Sequence, residues 1–129
     1  QLDIAELEDM HIHKTGALIR ASVLLGALCA QDLADGKKQA LDRYGKYIGL
    51  AFQVQDDILD VTGNTEQLGK EAGADRALNK PTYPSLLGLN GARERARELH
   101  ESALHCLDGL DDSANPLRWL SQYIVDRST

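Results

Sequence analysis

Apolar and polar positions recur along this chain with helical spacing. No segment alternates apolar and polar residues between turn signals as a strand would. The pattern predicts a first helix from about Ile12 to Ala30, with Leu18, Val23, Leu24, Leu25 and Leu28 apolar, ended by QDLADG. A second helix is predicted from about Lys37 to Val61, closed by the turn chemistry of TGN. Residues 62 to 83 hold three glycines and one proline and read as a structured loop. A third helix is predicted from about Pro84 to Leu107, and its second half, ARERARELHESALHCL, has the charge spacing of a surface helix. LDDSANP ends it, and a short helix from about Pro116 to Arg127 follows. The class is all-α, with no internal repeat.

The second helix is unusual. Ile48, Leu50, Ala51, Phe52, Val54, Ile58 and Leu59 take up nearly every direction around it. A helix apolar on so many sides is central. Gln53, Asp56, Asp57 and Asp60 nevertheless form one polar stripe about 100° wide. Gly49 and Gly45 lie one and two turns further up that face, which predicts open, glycine-lined space above the acids. Acids are unfavourable at a helix C-terminus by roughly 0.3–1 kcal/mol each. Like charges about 5 Å apart repel by about 3 kcal/mol at an effective dielectric of 20. A bound cation would offset both costs. Carboxylate oxygens on one helical face suit Mg²⁺, which keeps several waters and bridges to phosphates. Asp56, Asp57 and Asp60 are therefore the candidate metal ligands.

Composition narrows the partners. The chain has 129 residues, 43% apolar and 26% charged, with a net charge of −6. That size holds one domain with a core. The charge argues against nucleic acid and anionic membrane surfaces. The longest uncharged apolar run, Ala21 to Ala30, is too short to span a bilayer. Cys29 and Cys106, in apolar helical contexts, read as reduced core residues of a cytoplasmic protein. The first residue is Gln1, so the chain reads as a piece of something longer. No histidine pair has zinc spacing. Trp119 and Tyr123 read as a packing pair on the last helix.

Cationic residues accompany the acids. Gly69 and Lys70 follow Asp60, and Lys80 follows Asp75. Upstream, HIHKTG puts Lys14 and Thr15 near a helix N-terminus, where backbone N–H groups favour anions. Three lysines around a Mg²⁺ platform suit a diphosphate.

These stretches together resemble a known family. His11 to Ile19 read H-x-x-K-T-G-x-L-I, and Gly49 to Asp60 read G-x-x-F-Q-x-x-D-D-x-x-D. With GKEAGADRALNKPTYPSLLGL they resemble the trans-isoprenyl diphosphate synthases, most of all the short-chain bacterial farnesyl diphosphate synthases (geranyltranstransferases). The resemblance implies an all-α isoprenoid-synthase bundle and an Mg²⁺-dependent prenyl transfer, with Mn²⁺ as a substitute metal. An allylic diphosphate, dimethylallyl or geranyl, would ionise and be attacked by isopentenyl diphosphate, giving a short-chain product such as farnesyl diphosphate. It further implies that Asp56 binds metal directly and that Asp57 and Asp60 bind it or hold its waters. Lys14, Lys70 and Lys80 would contact the allylic diphosphate, Thr15 and Gln53 would face the developing cation, and Asp75 would lie behind the metal ligands. A homodimer is implied as well.

The family carries a first aspartate-rich motif on an earlier helix, and none lies upstream of Asp56 here. The 129 residues therefore read as the C-terminal part of one polyprenyl synthase domain, inactive alone. A different class is a non-catalytic helical fragment or regulatory subunit keeping one metal-diphosphate half-site and a dimer surface.

Overall fold

The structure, a computed structural model, describes residues 3–30, 33–63 and 81–128. Among these the chain forms five α-helices and one 3-10 turn, with no strand. They are α1 (Ile4–His13), α2 (Thr15–Cys29), α3 (Asp35–Thr62), α4 (Tyr83–Cys106), the turn Asp112–Ala114 and α5 (Asn115–Asp126).

The predicted central helix is α3, which packs against each of α1, α2, α4 and α5. Its buried residues, among them Tyr44, Ile48, Leu50, Ala51, Val54 and Ile58, lie on several sides of the helix. They divide the core in two. Towards the acids, Leu50, Ala51, Val54 and Ile58 meet Leu7 of α1 and Tyr83, Ala92, Ala96 and Leu99 of α4. Towards the other end, Leu41, Tyr44 and Ile48 meet Ala27, Ala103, Leu107 and Ile124. The Tyr44 hydroxyl donates to the Leu117 carbonyl at 2.8 Å, and burial pushes its pKa up to about 12.

The first predicted helix is two. α1 begins ahead of the predicted start, at a capping box in which Asp3 accepts from the Glu6 N–H and Glu6 accepts from the Asp3 N–H, both at 2.9 Å. The chain then turns at Lys14, whose φ of −99° and ψ of −99° interrupt the helix, and α2 resumes at Thr15. Gly16 makes the turn feasible: a Cβ there would lie 2.8 Å from the His11 carbonyl oxygen.

The third predicted helix is interrupted too. α4 starts with reciprocal Thr82 and Ser85 capping bonds and Pro84 in its first turn. It leaves helical geometry at Gly88, whose φ is +75°. At its far end Arg118 of α5 ties the connection down. Its guanidinium donates to the carbonyls of Leu107 at 2.7 Å, Leu110 at 2.9 Å and Asp111 at 3.0 Å, and to Asn115 Oδ1 at 2.8 Å.

Three expectations need correction. Cys29 is exposed and Cys106 only half-buried; both are free thiols. Trp119 and Tyr123 point to solvent, 67% and 64% exposed, because α5 turns its other side to the core through Ser121 and Ile124. The glycine face of α3 does not border open space. Gly45 lies against Arg20 and Val23 of α2, and a Cβ on Gly49 would sit 3.6 Å from the Gly16 Cα and from Ile19. The small residues let two helices approach closely, which a pattern on one helix cannot distinguish from a cavity.

Candidate functional site

The acids lie on the last turns of α3, each half-buried. Asp56 and Asp60 are one turn apart and therefore neighbours on the helix surface. Asp57 points at the start of α4. The Tyr83 backbone N–H donates to its Oδ2 at 3.1 Å. The first N–H groups of a helix have no carbonyl of their own helix to bond, so Asp57 completes the cap that Thr82 begins. Its negative charge also suits the positive end of the α4 dipole.

Asp56 is engaged from the chain's far end. Arg127 Nη2 donates to its Oδ1 at 2.5 Å. The Arg127 guanidinium lies over the Phe52 ring, 4.6 Å from the centroid. Gln55, the polar exception on the apolar side of α3, donates from Nε2 to the Arg127 carbonyl at 3.3 Å.

The glycine contact fixes where the HxxKTG stretch sits. Gly16 touches Gly49. Gln53 is one turn, and Asp56 about two turns or roughly 10 Å, further along α3. Lys14 and Thr15, both exposed, lie at the start of α2, and no side chain caps that end. Gly16 and Gly49, 33 residues apart in sequence, thus meet where α2 packs on α3. Lys70, Asp75 and Lys80 lie outside the described residues.

A cluster that the sequence did not disclose stands behind Asp57. Arg95 reads as a surface charge in ARERARELHE, yet it turns inward and grips Glu8 of α1. Its Nε donates to Oε2 at 2.9 Å and its Nη2 to Oε1 at 3.0 Å. The fully buried Tyr83 puts its hydroxyl 3.4 Å from Glu8, and its ring stacks on His11 with centroids 5.8 Å apart. Burial and the Glu8 charge push the Tyr83 pKa well up. Desolvation, then the nearby Lys14, push His11 below its usual range. One signal was legible: Arg95 shares a helical stripe with Ala92 and Leu99.

Among the described residues no three His, Cys, Asp or Glu side chains converge to enclose a metal. The donor set is oxygen-only and partly exposed. That fits Mg²⁺ held by one or two carboxylates, waters and phosphate oxygens, and does not fit an all-protein cage. No helix among the described residues is long and apolar enough to cross a membrane.

Comparison with known proteins places the chain in a family. Residues 1–112 match the polyprenyl synthetase family. The chain is 54% identical over 127 residues to a farnesyl diphosphate synthase of Escherichia coli, covering 95% of this chain and 42% of that protein. It is 46% identical over 127 residues to a chloroplastic geranylgeranyl pyrophosphate synthase of Capsicum annuum, covering 98% of this chain and 34% of that protein. Among solved structures, a geranyltransferase from Helicobacter pylori, complexed with magnesium and isoprenyl diphosphate, superposes with a TM-score of 0.70 at 34% identity, covering 96% of this chain and 40% of that one. The chain spans less than half the length of these relatives. With its motifs, its all-helical fold and a match over residues 1–112, this chain belongs to the polyprenyl synthetase family.

Proposed function

We propose that this chain is the C-terminal portion of a prenyltransferase domain and supplies one metal-diphosphate half of its site. The reaction is condensation of an allylic diphosphate with isopentenyl diphosphate to a short-chain product, farnesyl diphosphate by the likeness to the E. coli relative. The observation that carries this reading is the meeting of the Lys14-Thr15-Gly16 turn with the acid-bearing helix at Gly49.

In this reading Asp56, Asp57 and Asp60 hold Mg²⁺, a metal present in the Helicobacter pylori geranyltransferase complex. Mg²⁺, when bound, neutralises the diphosphate and favours its departure. Lys14 and the first N–H groups of α2 bind diphosphate oxygens from the other side. Lys70 and Lys80 add charge, and Asp75 braces the acids. The allylic C–O bond breaks and its electron pair leaves with the diphosphate. Thr15 and Gln53 turn oxygens towards the positive carbon. The isopentenyl double bond then forms the new C–C bond, which moves the positive charge to its inner carbon, and the neighbouring CH2 gives a proton to an oxygen of the released diphosphate. Asp56 would hold the cation beside its contact with Arg127. The protein works as a cytoplasmic homodimer.

Isothermal titration of the chain with pyrophosphate, with and without Mg²⁺, tests the half-site. Mg²⁺ is expected to tighten binding by about tenfold or more, equivalent to about 1.4 kcal/mol. Equal affinity in the two conditions would refute the reading. With geranyl and isopentenyl diphosphates plus Mg²⁺, the chain alone is expected to show no turnover, since metals must be held from two sides. A rate near 1 per second, roughly that of an ordinary enzyme, would overturn the incompleteness.

A further inference from the structure

Behind Asp57, four side chains from two helices form one cluster around a ring: His11 and Glu8 of α1, and Arg95 and Tyr83 itself of α4. The ring is fully buried, and its backbone N–H belongs to the first residue of α4. Asp57 is the carboxylate that N–H meets.

We propose that the Glu8–Arg95 ion pair is a positioning device: it clamps Tyr83 between α1 and α4 and so holds the Tyr83 N–H on Asp57, fixing that carboxylate's orientation in the acid cluster. The pair's action passes through the ring it encloses. The bidentate geometry matters, because a planar guanidinium holding two oxygens fixes the Glu8 carboxylate plane as well as its distance. The Glu8 carboxylate so held limits where the Tyr83 hydroxyl can move. His11, stacked on the ring with an interplanar angle of 13°, limits its tilt. Displacement of the whole residue, ring and Cα together, would carry the N1 amide with it and let Asp57 turn. The role of Asp57 in metal binding rests on the proposed function; the clamp on its orientation does not.

The test separates the two. Tyr83 is the first residue of α4, so its amide has no intrahelical acceptor, and its protection from hydrogen exchange reports the Asp57 contact. In Arg95→Ala and in the gentler Glu8→Gln, the Tyr83 amide is expected to exchange about tenfold or more faster, while the Leu99 amide deep in α4 keeps its protection. Pyrophosphate affinity with Mg²⁺ is expected to weaken about tenfold in both variants, and affinity without Mg²⁺ to stay unchanged. Arg97→Ala, which removes exposed contacts to Glu94 and Glu101, is expected to change neither. Unaltered Tyr83 exchange in both variants, or loss of Leu99 protection alongside it, overturns the clamp. If the unsubstituted chain shows no Mg²⁺-dependent pyrophosphate binding while Tyr83 exchange still responds, the clamp holds and the functional reading falls.

Discussion

Gly16 faces the His11 carbonyl so closely that a Cβ at residue 16 would stand 2.8 Å from its oxygen. Backbone cannot yield as a side-chain end can. Gly16→Ala is therefore expected to destabilise the fold by about 1–3 kcal/mol, the usual cost of forcing an extra carbon into a packed place. Urea denaturation checks this, and an unchanged midpoint would mean the turn at Lys14 relaxes freely.

At Gly49 the expected sign is opposite for a small change. The first atoms a Cβ there would meet lie 3.6 Å away, an ordinary contact. Removing a helix-interior glycine gains about 0.5–1 kcal/mol of propensity. Gly49→Ala should be neutral or stabilising. Gly49→Leu should cost about 1–3 kcal/mol by wedging α2 from α3. If the face were an open cavity, leucine would be accepted, so thermal denaturation of the pair distinguishes a helix contact from a pocket.

His11 sets an acid-side limit. Desolvation and Lys14 lower its pKa below 6.5, against a smaller opposing effect of Glu8. The folded state then holds fewer protons on this ring than the unfolded state does, so stability rises with pH through the window below about 6.5. Acidifying from about pH 7.5 to 5.5 is expected to lower the melting temperature. His11→Phe, which keeps a ring against Tyr83, should flatten that part of the profile. An equal slope in the variant would assign the effect elsewhere.

Arg118 binds three backbone carbonyls at once. Removing it strands partly buried acceptors, so Arg118→Ala should cost about 1–3 kcal/mol. Lysine lacks the planar fork and should recover little of the loss. Denaturation of both variants checks this; full rescue by lysine would show that charge alone matters.

The course of α3 was legible because an all-round apolar pattern has one physical solution, enclosure. Its acid stripe was legible because charge within such a pattern stands out. The break at Lys14 was hidden, since apolar spacing continues across it and the carbonyl that demands Gly16 is visible only in three dimensions. The start of α1 has a sequence signal of its own, the capping-box spacing of Asp3 and Glu6. The Glu8–Arg95 pair joins residues 87 apart, and no local pattern reports such a contact. The glycine face of α3 is visible in the sequence but its use is not, because close packing and empty space call for the same missing side chains.

Asp57 occupies two offices at once, as a candidate ligand and as the residue that completes the cap of α4. Any alanine scan across this helix would merge two phenotypes at that position, lost binding and a frayed neighbour. Asparagine would part them, since its amide oxygen can still receive the Tyr83 N–H while the negative charge is gone. The difference between the asparagine and alanine variants is then the architectural share of the residue. What asparagine still lacks is the electrostatic share. A screen that samples only one substitution at residue 57 would credit chemistry with what belongs to scaffolding.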